Sequence, residues 1–120
     1  MHDPTEGGIV GGIHEMADAA NLGVHIEHEN IAVEPETAKI CDYFKIDPLQ
    51  LIGSGALLIA AQTEKANAIL EILNKQKIQA AIIGEFQADK TKRLITLSNG
   101  KTETLPRPTS DHLWQALRRT

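Results

Sequence analysis

Apolar residues along this 120-residue chain recur with two alternating periods, and that alternation constrains the fold more than any other feature. Ile9, Ile13, Met16, Ala17 and Ala20 fall on one helical face, which predicts a helix from about Thr5 to Asn21, with Asp3 or Thr5 as its cap. Gly11 and Gly12 inside it cost roughly 1 kcal/mol each relative to Ala, so another backbone or a ligand is expected close by. Gly23 ends the following turn, and Val24 to Glu29 alternates with the period of a strand. Ile31-Ala32-Val33 continues extended. Glu34 to Phe44 reads as a short helix with Ala38, Cys41 and Phe44 inward, and Leu49, Leu51 and Ile52 pack after the Asp47-Pro48 turn. Gly53-Ser54-Gly55 breaks the chain, and the apolar run Ala56 to Ala61 predicts a buried strand. Thr63 caps an amphipathic helix to Gln76, with Ala66, Ile69, Leu70 and Leu73 on its inner face. Ala80 to Phe86 is the next strand. Arg93 to Ser98 and Lys101 to Leu105 flank Asn99-Gly100, a strong hairpin signal. Pro106 and Pro108 end that ribbon, and Thr109 or Ser110 caps a last helix to Arg119. The order implies an α+β domain, a mixed β-sheet packed with α-helices, occupying residues 1–120 as one unit.

With 42% hydrophobic residues and only 3% aromatic ones, the core has to be aliphatic. The net charge of −4 comes without a block of Lys and Arg, which argues against a nucleic-acid partner. Lys90, Lys92 and Arg93 are too few for such a patch. The run Ala56 to Ala61 is too short to span a bilayer, so no membrane partner is expected. Cys41 stands alone, which rules out an intrachain disulfide and fits a cytoplasmic location.

Chemistry concentrates at the start of the chain. Asp3-Pro4-Thr5-Glu6-Gly7-Gly8 leads into the first helix, whose mouth offers unpaired N–H groups and a positive dipole end. Gly7 and Gly8 let a phosphate approach without a Cβ in the way, Thr5 can donate a hydroxyl, and Asp3 can orient a polar ligand or metal. As a bare pattern this is first a capped helix, since it lacks the Lys and spacing of a P-loop. Gly53-Ser54-Gly55 exposes a hydroxyl and backbone amides before an apolar strand; by itself it is a tight turn, and no base marks Ser54 as a nucleophile.

Other groupings are weaker. His14-Glu15-Met16-Ala17-Asp18 approaches a zinc-binding His-Glu-x-x-His but carries Asp in the last place, and reads as a surface His–Asp pair. His25, Glu27 and Glu29 share a strand face, most simply a solvated one. His2 lies beside the glycine segment. Cys41 reads as a small core residue. Arg107, held extended between prolines, is within reach of a phosphate at the cleft, although a solvated side chain is the simpler reading. Trp114, with Leu113 and Leu117, belongs to the core or to an interdomain contact.

Taken in order, Met1-His2-Asp3-Pro4-Thr5-Glu6-Gly7-Gly8, His14-Glu15-Met16-Ala17, Asn21-Leu22-Gly23-Val24, Pro35-Glu36-Thr37, Asp47-Pro48-Leu49, Ser54-Gly55-Ala56-Leu57-Leu58-Ile59-Ala60 and Leu105-Pro106-Arg107-Pro108 resemble the C-terminal domain of AIR synthase-related proteins. That superfamily includes aminoimidazole ribonucleotide synthase, selenophosphate synthetase and a hydrogenase maturation factor. The resemblance implies a two-domain enzyme that uses ATP and Mg2+ to activate a carbonyl or carboxamide oxygen by phosphoryl transfer. An absent N-terminal domain would hold most of the nucleotide site and the main dimer interface. Carried over by residue, Asp3, Thr5, Gly7 and Gly8 face nucleotide phosphate or substrate, and Ser54 and Gly55 line the same cleft. The hydrogenase maturation factor carries Glu where Ser54 stands and ends in a Cys-bearing tail, whereas this chain ends Leu117-Arg118-Arg119-Thr120, so its carbamoyl chemistry is not carried over.

The resulting expectation is a domain that closes the nucleotide and small-molecule cleft of a missing N-terminal partner, forms a homodimer, and alone is inactive and binds no cofactor. The alternative is a stand-alone regulatory module that holds an anionic metabolite at the same helix mouth. A third reading is a structural subunit that assembles through an exposed apolar face.

Overall fold

The computed structural model describes residues 7–33, 35–50 and 56–108. Among them are α1 (Gly8–Ala20), β1 (Gly23–Glu27), α2 (Pro35–Phe44), α3 (Thr63–Lys75), β2 (Gly84–Gln87), β3 (Arg93–Thr96) and β4 (Thr102–Thr104), with 3-10 turns at His28–Asn30 and Pro48–Gln50. The strands form one mixed sheet in the order β2-β1-β3-β4. β1 is antiparallel to β2 and parallel to β3, and β3 is antiparallel to β4. The architecture is the α+β class that the alternating periods imply.

α1 is a poor helix in isolation. Its first turn carries no acidic residue, its cap makes no side-chain hydrogen bond, and it contains Gly11 and Gly12. Packing holds it instead. Val10, Ile13 and Ala17 are buried against Val24, Ile26 and Ile95 from the sheet, with Ile31, Leu49 and Leu105 closing the cluster. Each fully buried aliphatic side chain contributes about 1.5–3 kcal/mol. In the parallel register Ile26 sits opposite Ile95, so one sheet face is apolar and lies on α1. The opposite face carries His25, Thr96 and Thr102, joined through Nε2–Oγ1 and Oγ1–Oγ1 hydrogen bonds of 2.7 and 3.0 Å.

The three α-helices among the described residues end by the same device. Asn21, Lys45 and Lys77 adopt positive φ. The apolar residue after each, Leu22, Ile46 or Ile78, bonds back to the carbonyl of Ala17, Cys41 or Leu73. These caps satisfy the last carbonyls without glycine. Gly23, read as the end of the turn, instead opens β1, and its need is space. A Cβ there would overlap the Asp89 and Lys92 carbonyl oxygens.

Several expectations need correction. α1 is capped by Gly7, in the left-handed region, while Asp3 and Thr5 lie outside the described residues. Ala56 to Ala61 is not a buried strand: only Leu58 is half-buried, and Leu57 and Ile59 are 55% and 41% exposed. An apolar run signals a demand for burial but supplies no neighbouring strand, and the sheet is built from β1 to β4 without it. The strand expected from Ala80 begins at Gly84. The inner face of α3 is only half-buried at Ala66, Ile69, Leu70 and Leu73. Ala38 is exposed, while Cys41 is buried as expected, and burial followed by the charge of Asp47 pushes its thiol pKa up. The Asn99-Gly100 hairpin joins β3 and β4, with Asn99 Oδ1 accepting from the Lys101 amide at 3.0 Å. Leu51, Ile52 and the last helix, with Leu113, Trp114 and Leu117, lie outside the described residues.

Gly23→Ala is expected to destabilise the domain by about 2–3 kcal/mol, since rigid backbone has to move to admit the methyl group. Urea unfolding followed by circular dichroism checks this; an unchanged midpoint would show that the Asp89–Lys92 turn is not held against β1.

Candidate functional site

The mouth of α1 is built from Gly7 and Gly8, at φ 85° and 67°, a conformation that side chains with a Cβ avoid. Both are buried. The Gly7 carbonyl accepts from the Gly11 amide at 3.1 Å, which starts the helix. A Cβ on Gly7 would lie 3.5 Å from Gly11 Cα and 3.6 Å from Pro108 Cβ, so the turn is backed on one side by the segment that follows β4. Of the residues singled out for phosphate, Gly7 and Gly8 thus sit together at the helix mouth. Asp3, Thr5, His2, Ser54 and Gly55 lie outside the described residues.

Further along α1 the structure assembles a polar ring that the sequence did not suggest. His14 is not a surface residue; it is 4% exposed. Its Nε2 lies 2.9 Å from the Pro106 carbonyl oxygen and 3.2 Å from that of Leu105, so Nε2 carries the proton and donates. Its Nδ1 accepts from Arg93 Nη1 at 3.1 Å. Arg93 Nη2 donates to Asp18 Oδ1 at 2.9 Å, and Arg107 donates to both Asp18 oxygens at 3.0 and 3.2 Å. The Arg93 main-chain carbonyl accepts from the Leu105 amide at 2.7 Å, closing the circuit. Arg107, read as solvated or as a phosphate contact, is instead committed to a bidentate ion pair.

The electrostatics follow from this geometry. Burial pushes the His14 pKa below its ordinary value; the nearby Arg107 and Arg93 charges act the same way, against the hydrogen bonds to Pro106 and Leu105. Asp18 is lowered to about 2, first by the Arg107 hydrogen bonds and then by Arg93. Arg107 is raised in turn by Asp18. Asp18 is half exposed, so its pairs are screened, and losing the carboxylate costs roughly 1–2 kcal/mol.

The His14–Asp18 spacing was legible as a pair on one helix face. That Arg93, at the start of β3, and Arg107, beyond β4, would meet it depends on the sheet register. On the other sheet face, His25, Glu27, Asn30, Ile82, Gly84 and Glu85 line a shallow depression of about 220 Å³. His25 Nε2 stands 3.8 Å from Glu27 Oε1, while Glu29 lies in the 3-10 turn. Among the described residues no three His, Cys, Asp or Glu side chains are placed to hold a metal ion. None of the described helices is long and apolar enough to cross a membrane.

A helix opened by left-handed glycines, laid on one face of a mixed sheet and backed by a proline strap, defines an α+β domain whose distinctive feature is that helix mouth. The chain belongs to the family of AIR synthase related proteins, C-terminal domain, whose model matches residues 1–96. It is 35% identical over 91 residues to the carbamoyl dehydratase HypE of Rhizobium leguminosarum bv. viciae, covering 74% of this chain and 26% of that protein. It is similar to the crystal structure of Escherichia coli HypE, a hydrogenase maturation protein, with a TM-score of 0.82, 28% identity, and 95% of this chain and 36% of that one covered. It shares its fold with a hydrogenase maturation protein HypE solved in complex with ATP, at a TM-score of 0.81 and 23% identity, covering 91% of this chain and 35% of that one. The chain spans about a quarter of the length of the curated relatives it matches.

Because the folded domain favours neutral His14, that stabilisation is complete above the ordinary pKa of 6.5 and is lost as pH falls below it, through the lowered folded value. Stability is therefore expected to decline as pH falls below 6.5. His14→Gln, which supplies the same donor and acceptor without titrating, is expected to flatten that decline. Urea midpoints measured across this range in both proteins decide it; parallel curves would remove His14 as the cause. The Asp18 contribution is present above the ordinary 3.8 and is lost as pH falls toward 2.

Proposed function

We propose that this chain is the C-terminal domain of an ATP-dependent enzyme that activates a carbonyl or carboxamide oxygen of a small-molecule substrate by phosphoryl transfer. In this reading an N-terminal domain, encoded ahead of residue 1, binds ATP and Mg2+ and forms the main dimer contact, and the mouth of α1 closes the cleft. The observation that carries it is the pair of left-handed glycines at the start of a helix with one face buried, in a chain of this family. The likeness to HypE proteins, one of them solved with ATP, supports a nucleotide as the ligand.

ATP supplies a transferable phosphoryl group that converts a poor leaving oxygen into a good one. The chain's own part is position and charge. Amide groups at a helix mouth donate to phosphate oxygens, and the dipole adds favourable potential. Glycine allows an approach that a Cβ would block, and catalysis of phosphoryl transfer is largely positioning and electrostatic stabilisation. Asp3 and Thr5 extend the cradle with a carboxylate and a hydroxyl, and Ser54 and Gly55 line the same cleft. In this reading the Mg2+ ligands belong chiefly to the N-terminal domain. The reaction is a cytoplasmic one.

Two measurements test the proposal. Calorimetry on the 120-residue chain with magnesium-ATP is expected to show at most weak binding, and tight binding would defeat the closing-half role. The full-length gene product, given magnesium-ATP and a panel of carboxamides, is expected to release phosphate, and Gly8→Ala is expected to cut that rate roughly 100-fold by misplacing the phosphate. An unchanged rate in the variant would remove the helix mouth from the chemistry.

A further inference from the structure

We infer that the ring of His14, Asp18, Arg93 and Arg107 is a positioning device that holds the Pro108 strap against Gly7 and so sets the geometry of the α1 mouth. The inference rests on the functional reading above for what the mouth binds, and on the coordinates for the ring itself.

The strap from Leu105 to Pro108 is tied to the domain at successive points. The Leu105 amide bonds to the Arg93 carbonyl, the Leu105 and Pro106 carbonyls accept from His14 Nε2, and Arg107 forks onto Asp18. Pro108 follows directly, and its ring stands beside Gly7, 3.6 Å from where a Cβ there would lie. The strap thus runs beside α1 from its middle to its mouth. His14 and Asp18, one helical turn apart, both serve as its anchors.

Arg93 makes the ring rigid. Its side chain is only 13% exposed, with one guanidinium nitrogen on His14 and another on Asp18. Its buried Nε has no hydrogen-bond partner among the described residues, so the side chain gives up that bond to reach both. A mostly buried guanidinium needs its carboxylate, and the planar fork allows little freedom about where Asp18 and His14 sit. α1 is thereby locked in register with β3 and with the strap. The glycines gain from this because a left-handed pair has little conformational preference of its own. The family match ends at residue 96, so His14, Asp18 and Arg93 fall inside it, while the strap they hold lies beyond it.

The test is a set of 15N–1H correlation spectra of the 120-residue chain, read at the Gly7 and Gly8 amides. Asp18→Asn, Arg107→Gln and Pro108→Gly are each expected to shift or broaden both resonances, and Lys101→Gln, an exposed charge on the hairpin, is expected to leave them in place. Arg107 is 59% exposed, so its variant keeps the fold even where Asp18→Asn weakens it. Pro108→Gly keeps all four side chains of the ring and removes the proline ring beside Gly7, which separates positioning from loss of the ion pairs. Glycine amides unmoved in folded Arg107→Gln and Pro108→Gly would overturn the inference. In the full-length gene product, Arg107→Gln is expected to lower kcat/KM for ATP about tenfold, with partial recovery in Arg107→Lys. Wild-type protein that releases no phosphate would sink the functional reading alone, and the amide spectra would still decide the ring.

Discussion

The arrangement of this domain turns on a guanidinium that is mostly removed from water. Arg93 opens β3 with its side chain directed at α1, and a buried cation is tolerated only where a carboxylate and oriented acceptors receive it. Asp18 supplies the charge and the neutral His14 ring supplies a lone pair. Those two residues belong to the helix that lies over the sheet, so pairing the cation also fixes the helix. His14 acts in both directions: Nδ1 accepts from Arg93 while Nε2 donates to the strap. A protonated ring would turn its Nδ1 hydrogen toward another donor.

This dependence explains how a weak helix can occupy the centre of the fold. α1 contains glycines, lacks acidic residues in its first turn, and has no side-chain cap. Aliphatic packing supplies most of its stability, but packing of Val10, Ile13 and Ala17 alone is tolerant of small slides along the helix axis. Hydrogen bonds of fixed direction are less tolerant. The apolar core therefore holds the helix down, and the polar ring determines where along the sheet it rests.

The family likeness and the geometry meet at the same place. Membership of the AIR synthase related C-terminal domain family directs attention to the glycine segment, and the coordinates show Gly7 and Gly8 as a left-handed turn at the helix start, backed by Pro108. The chain spans about a quarter of the length of the relatives it matches, and the proposed reading divides the chemistry between it and an N-terminal domain. What this chain contributes in that scheme is an edge for an anion: backbone amides, no intervening Cβ, and a strap tied back to α1 through Arg107 and Asp18.

Much of this was readable in the chain itself. The alternation of helical and strand periods specified the α+β class, the Asn99-Gly100 turn and the β3–β4 hairpin, because these depend on neighbours in sequence. The special character of Gly7 and Gly8 was legible for the same reason. The fate of Ala56 to Ala61 was not, since a local run of apolar residues cannot say whether a neighbouring strand is available. Nor was the partnership of Arg93 and Arg107 with His14 and Asp18. The bonded pairs among them are separated by 75 to 89 positions, and only the parallel β1–β3 register and the path of the strap bring them within hydrogen-bond reach. Local pattern determined which elements form; long-range pairing decided which charges meet, because a hydrogen bond is directional and short while sequence spacing carries no record of distance in space.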